Sequence, residues 1–249
     1  MFPPEKRAKF EESHWWYLAR RRIITTLLLS LHLPPSSRVL EIGCGCGANL
    51  RQFRAHFDAY GGDSDITACR ISHKKLPGRI AAFDAHRLPF ADSVFDAVLV
   101  LDTLEHLADD TAALLEVHRV LTEKGVAIIT VPCFPGLWWR HDVAEEHRRR
   151  YTKKSLTDAA HKAGFRVEKL THFNAALFLP IALMRLLGRT LFRTRGALDF
   201  REVPQPINDF LTALFALERH LTVSANLPFG LSLLSVFKKE TRGLKPAAS

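Results

Sequence analysis

The chain of 249 residues has few cysteines, few methionines and no long uncharged apolar run. Cysteine occurs four times, at 44, 46, 69 and 133. No pair has Cys-x-x-Cys or zinc-ribbon spacing, so neither a disulfide framework nor a structural metal is suggested, and free thiols fit a reducing compartment. No stretch reaches the 18 uncharged apolar residues of a membrane span. The run Ile23 to Leu33 after Arg20-Arg21-Arg22 imitates a secretory leader. It starts too late, follows Glu11-Glu12 and lacks a small-residue cleavage site. Acid is also scarce: 26 Asp and Glu face 35 Lys and Arg, a net charge of +9. Between Arg140 and Arg201 there are 14 basic and 6 acidic residues, nearly the whole excess. Such a bias marks a basic surface facing an anionic partner. No RNA-binding module and no interleaved aromatic platform accompanies it, so nucleic acid is not the expected partner.

What remains is ordinary globular composition, 47% apolar and 24% charged. Trp16, Ala19, Ile23, Leu27 and Leu31 share one helical face, which predicts a helix over Ser13 to Leu31 ended by Pro34-Pro35. Strands are expected at Arg38 to Ile42, Ala59 to Asp63, Arg79 to Phe83, Phe95 to Leu101, Val126 to Val131 and Phe165 to Leu170. Helices alternate with them, one capped by Asp110 and another by Thr152. The alternation implies an α/β fold, a doubly wound and mostly parallel sheet with its site at the strand C-termini. It breaks between Asn174 and Pro228, where two amphipathic helical stretches precede a last strand, Leu231 to Phe237. One domain is expected: a helical cap over 1–35, a cofactor core over 36–173, a helical lid insertion over 174–228 and a final strand within 229–240.

The first strand opens into Gly43-Cys44-Gly45-Cys46-Gly47 and then a helix. Glycines there let a ligand approach the backbone closely. Gly43, Gly45 and Ala48 satisfy G-x-G-x-x-G/A, and Asp63 lies 20 residues after Gly43, as a nicotinamide dinucleotide site requires. A tight strand–helix turn without a ligand also fits.

Further along, Glu41 ends the first strand, Asp84 follows the third, and Leu88 to Asp96 leads into the fourth. Taken together, from about Arg38 to Leu170, these motifs resemble the class I S-adenosylmethionine-dependent methyltransferases, the small-molecule branch with the ubiquinone-biosynthesis enzymes. The resemblance implies a Rossmann-like, seven-stranded sheet whose last strand runs antiparallel. It implies S-adenosylmethionine as cofactor, with Gly43, Gly45 and Gly47 at its methionine end and Glu41 ordering the loop and the amino group. Asp63 would take the ribose hydroxyls, Asp84 with Ala85 the adenine, and Leu101 would pack beside the loop after strand four. The fold family thus points to methyl transfer to a small or lipid-linked acceptor, expected at oxygen.

The donor methyl is already activated, so the chain must position the acceptor, exclude water and supply a base. His147 and, after it, His106 are the candidate bases. Asp102-Thr103-Leu104-Glu105-His106 is similar to a cluster that helps hold a divalent metal in the ubiquinone O-methyltransferases. The match is short, the Glu-His pair also serves structural hydrogen bonds, and no metal is assigned. His147 and Tyr151 resemble a His-x-x-x-Tyr-Thr segment beside the donor site, which makes His141, Arg148 and Tyr151 candidate acceptor contacts. The stretch from Arg148 to Arg150 is either a solvated patch or a contact to a phosphate or carboxylate. In the insertion, Leu177, Ile181, Met184 and Leu191 lie beside an Arg185, Arg189, Arg193 stripe, and Ile207, Phe210, Leu211, Leu214, Leu217 and Leu221 share a second face. They form either a lid or a surface that also touches anionic lipid. The expected location is cytoplasmic, with peripheral contact on the inner membrane face. Two other readings are a regulatory S-adenosylmethionine-binding protein without chemistry and a nicotinamide-dependent oxidoreductase.

Overall fold

The computed structural model describes residues 3–191 and 203–240, the side chains of 187–191 excepted. Two helices precede the sheet where the spacing predicts one: α1 (Pro4–Ser13) and α2 (Trp15–Ser30). His14 breaks them by adopting extended backbone, and its ring accepts from the Trp16 N–H at 3.4 Å as the cap of α2. Helix α1 buries only Phe10 and Glu11, too little for a periodic signature. Helix α2 buries Ala19, Ile23, Ile24, Leu27 and Leu28, the stripe that the spacing picks out.

Seven strands follow: β1 (Arg38–Ile42), β2 (Asp58–Asp63), β3 (Ile80–Ala82), β4 (Phe95–Leu101), β5 (Leu121–Pro132), β6 (Phe165–Phe173) and β7 (Ser232–Lys239). Their order is β3-β2-β1-β4-β5-β7-β6. The first five are paired parallel, and β7 runs antiparallel between β5 and β6. The doubly wound sheet with a reversed last strand is therefore present. Strand order reverses between β1 and β4, which opens a crevice at their C-terminal ends.

Residues alternate between two cores, as strands buried on both faces require. Leu40, Val98, Val100, Ala127 and Ile129 meet α5 (Asp110–Val120) and α7 (Lys153–Lys162) through Leu114, Val117, Leu156 and Ala160. Val39, Ala97, Leu99 and Ile128 meet α2 and α3 (Ala48–Phe53) through Ile23, Leu27, Leu50 and Phe53. Helix α4 (Ile66–Lys75) covers the β2–β3 edge. The cap of α5 is Asp109, which accepts from the Ala112 N–H at 2.9 Å, and not Asp110. Asp110 instead accepts from the Tyr151 hydroxyl at 2.7 Å.

The insertion holds α8 (Phe178–Leu191), α9 (Gln205–Ala216) and α10 (Glu218–Ser224). Helix α8 packs Phe178, Ile181 and Ala182 against Leu137 and Leu231, whereas α9 and α10 turn mostly polar residues inward. Inward come Asn208, Thr212, Phe215, Glu218 and Thr222. Asn208 ties the Trp15 N–H to the Ser13 carbonyl, and Glu218 accepts from the N–H groups of Ala175 and Ala176. Phe215 supplies the apolar anchor, stacked on Trp16 with centroids 5.2 Å apart. Outward come Leu179, Leu183 and Leu186 of α8, and Ile207, Phe210, Leu217 and Leu221. The stripe expected on the basic face is corrected at Arg185, which is buried. Arg193 lies outside the described residues, and no side chain is described at Arg189.

Candidate active site

The crevice between β1 and β4 opens into a cavity of about 190 Å³. Its floor is the glycine loop. Gly43 (φ 74°) and Gly45 (φ 53°) take left-handed backbone. A Cβ at Gly43 would run into Thr103, and one at Gly45 into the Glu11 carboxylate. Only glycine satisfies both demands. Gly47 is the N-cap of α3. Both Glu11 carboxylate oxygens lie 3.1 Å from the Cys46 N–H, and Arg7 pairs with Glu11 at 3.2 Å, so α1 roofs the loop. Periodicity gives no hint of this roof.

Glu41 is buried beside the loop and lines the cavity. One oxygen accepts from Asn49 Nδ2 at 2.7 Å and the other has no partner among the described residues. Burial pushes its pKa up to about 7, against the Asn49 hydrogen bond and the Arg20 charge. A buried carboxylate with an open oxygen beside a glycine cradle suits a ligand carrying an ammonium group close to the loop. Leu101 also lines the cavity. Asp63 stands at the end of β2, its two oxygens accepting from the N–H groups of Gly45 (2.9 Å) and Asp65 (3.0 Å). Asp84 is 68% exposed at its side chain and accepts from the backbone N–H of His86 at 2.9 Å, with the His86 ring at 2.7 Å. Ala85 is buried next to it. The structure brings Glu41, Gly43, Gly45 and Leu101 to one cavity, while Gly47, Asp63, Asp84 and Ala85 are not among its lining residues, Asp63 reaching it only through the Gly45 N–H.

The opposite wall comes from the segments after β4 and β5. Asp102, in left-handed backbone at φ 49°, is bridged to Arg20 of α2. A 3₁₀ turn, Leu104–His106, follows. Glu105 is fully buried with neither oxygen partnered among the described residues, and burial raises its pKa well above the usual carboxylate range. The His106 ring meets the His147 ring edge-on at 4.8 Å, and burial with the His147 charge lowers its pKa to about 4. His147 Nδ1 lies 2.9 Å from Asp142 Oδ1, in the short helix α6 (Arg140–Ala144). The same oxygen accepts from Arg150 Nε at 2.7 Å, and Asp142 Oδ2 accepts from the Trp139 N–H at 2.7 Å. Burial opposes ionisation of Asp142, yet these partners hold its pKa far below the ordinary range.

His141, His147 and His106 all line the cavity. Two other expected acceptor contacts do not. Tyr151 belongs to the core, with its hydroxyl on Asp110, and Arg148 Nε donates to the His106 carbonyl at 3.0 Å from an exposed position. Both hold the turn that carries His106. Glu105, His106 and His147 each present one ligand atom within 4.8 Å of the others, whereas Asp102, the acid of the sequence motif, is committed to Arg20. Sequence reasoning missed Arg20 and Asp142 as parts of the site; it reached Arg150 only within the Arg148 to Arg150 patch offered to a phosphate or carboxylate, and it placed Arg185 on the basic stripe of the insertion. Asp142 carries a faint signal, five residues before His147.

Comparison with known proteins agrees with this geometry. Residues 15–170 match the methyltransferase domain family. A demethylmenaquinone methyltransferase of Roseiflexus sp. (strain RS-1) is 30% identical over 200 residues, 72% of this chain and 82% of that protein. Another, from Thermotoga maritima, is 36% identical over 96 residues, 37% of this chain and 42% of its own length, so the chain spans less than half of that relative. The solved structure of geranyl diphosphate methyltransferase in complex with S-adenosylmethionine superposes with a TM-score of 0.58 at 12% identity, covering 90% of each chain. The family match runs from the start of α2 into β6, across the whole crevice, and the chain belongs to the methyltransferase domain family as an S-adenosylmethionine-dependent methyltransferase.

Proposed function

We propose that this chain methylates an oxygen of a small or lipid-linked acceptor, with His147 as the base, while docked peripherally on the inner face of a membrane. The carrying observation is the His147–Asp142 pair, which lines the same cavity as Glu41 and the glycine loop. S-adenosylmethionine supplies, when bound, a methyl group on a positively charged sulfur. Everything else falls to the chain. Glu41 takes the ammonium of the methionine end, with Gly43, Gly45 and Gly47 admitting its backbone-like portion and Leu101 packing alongside. Asp63 takes the ribose hydroxyls, and Asp84 with Ala85 the adenine. His147 accepts the acceptor's hydroxyl proton at Nε2. Asp142, held ionised by its three partners, fixes the tautomer at Nδ1 and stabilises the imidazolium that forms. His106, neutral by burial, adds no competing charge. His141 is an acceptor contact.

The outward apolar faces of the insertion support docking on lipid. Leu179 is 64%, Phe210 64% and Leu217 68% exposed, and large apolar side chains grouped this way favour an interface. Anionic headgroups suit the basic surplus of this half of the chain.

The test supplies S-adenosylmethionine carrying a ¹³C methyl, with aqueous and lipid fractions of a cell extract as acceptor source. NMR of the product is expected to show a methyl on oxygen. A methyl on nitrogen, carbon or sulfur contradicts the reading.

A further inference from the structure

The acceptor half of the cavity carries cations that methyl transfer alone does not require. Arg150, between β5 and α7, is 7% exposed, and Arg185, on α8, is 6% exposed; both line the cavity. Arg150 Nη1 donates to the Cys133 carbonyl at 2.9 Å, and Arg185 Nη1 to the Leu137 carbonyl at 3.3 Å. Arg150 has Asp142, but that carboxylate is already divided between Arg150, His147 and the Trp139 N–H. Burial and the charge of Arg185 lower the Arg150 pKa, as two guanidinium groups sharing a dry wall must. The same cavity is lined by Asn174, buried in left-handed backbone at φ 58°, whose Oδ1 has no partner among the described residues. Ile181 and Leu231 complete this wall.

We propose that Arg150 and Arg185 bind an acidic group of the acceptor, so that the substrate is an organic anion, a carboxylate or a phosphate monoester, with an apolar body. A planar fork meets either head with two parallel hydrogen bonds, which is why arginine and not lysine suits the task. The head lies on the two guanidinium groups, both buried and both lining this wall. The apolar body lies against Ile181 and Leu231, and the hydroxyl to be methylated faces His147. This assignment rests on the reading of the cavity as the acceptor site.

The experiment titrates benzoate, phenyl phosphate and the neutral benzyl alcohol into the S-adenosylhomocysteine-bound protein by calorimetry in low-chloride buffer. At least one anion is expected to bind, tenfold or more tightly than benzyl alcohol, and which one binds separates a carboxylate head from a phosphate head. Arg185→Gln should weaken that anion tenfold or more and leave S-adenosylhomocysteine affinity unchanged. Arg185→Lys, which keeps the charge and loses the fork, should fall between. The melting temperature of each variant reports its folding. Equal binding of all three probes, or wild-type anion affinity in a folded Arg185→Gln protein, overturns the proposal. Failure of the wild type to bind S-adenosylhomocysteine contradicts the site assignment beneath it instead.

Discussion

His147 Nδ1 and Asp142 Oδ1 stand 2.9 Å apart, and the same oxygen receives Arg150 Nε at 2.7 Å, so one buried carboxylate orients the base and pairs with a guanidinium together. Asp142→Asn removes the charge and strands Arg150. Breaking a buried pair in this way costs roughly 3 kcal/mol. The folded-state pKa of Asp142 is depressed, so its contribution is present above the ordinary carboxylate range and is lost as pH falls through the folded value. Urea denaturation should show a large deficit for Asp142→Asn at pH 7 and a smaller one in acid. A pH-independent difference contradicts the linkage.

Glu41 behaves oppositely. Its pKa is raised to about 7, so the stability it contributes is complete below the unfolded value and lost as pH rises through 7. Glu41→Gln is expected to stabilise the ligand-free protein at pH 8 by on the order of 1 kcal/mol, because the cost of a buried charge disappears. The same variant should bind S-adenosylmethionine more weakly. Wild-type affinity should rise between pH 6 and 8, as the carboxylate that meets the ammonium ionises. Flat affinity across that interval in calorimetry places the ammonium elsewhere.

Asp63→Ala should weaken S-adenosylmethionine binding by about 2 kcal/mol, since charge-assisted hydrogen bonds to the ribose are lost. Part of the effect passes through the loop, because Asp63 also accepts from the Gly45 N–H. Asp63→Asn, which keeps one acceptor oxygen, should lose less. Calorimetry on the folded variants checks both, and unchanged affinity in Asp63→Ala removes this residue from the cofactor site.

Membrane docking is expected to depend on leucines. Leu179, Leu183 and Leu186 are the outward side chains of α8, and Arg185 is buried among cavity residues. Burying three half-exposed leucines contributes roughly 3 kcal/mol, about a hundredfold in partitioning. Flotation with phosphatidylglycerol vesicles should be lost in Leu179→Gln/Leu183→Gln/Leu186→Gln. Salt should weaken it in the wild type. Flotation of the triple variant equal to wild type, or none for either, leaves these faces without a lipid role.

The sheet was legible because its strands are buried on both faces and their apolar runs sit between turn signals; Phe95 to Leu101 needs no partner to be recognised. The glycine loop was legible for a similar local reason, since Gly43 and Gly45 answer steric demands set within one turn. Helix α1 was not, because it is held by Glu11 on a backbone N–H and not by an apolar stripe. Periodicity found the apolar stripe of α9 but left open which way it faces. Ile207 and Phe210 point outward, while Asn208, Thr212 and Phe215 face the body, the first two tied down by hydrogen bonds that no hydrophobic pattern records. Arg150 and Arg185 meet only through the tertiary fold, one from the segment before α7 and one from the insertion. Nothing in either stretch identifies the other.

The central claim is that His147, oriented by Asp142, takes the acceptor's proton in the cavity that also holds the donor. The direct measurement is release of S-adenosylhomocysteine by wild type and His147→Ala, with the extract fraction that supports turnover and saturating S-adenosylmethionine. A lost general base lowers kcat by about 10²- to 10⁴-fold, while S-adenosylmethionine affinity measured separately stays at the wild-type value. A His147→Ala protein that turns over at the wild-type rate contradicts the account.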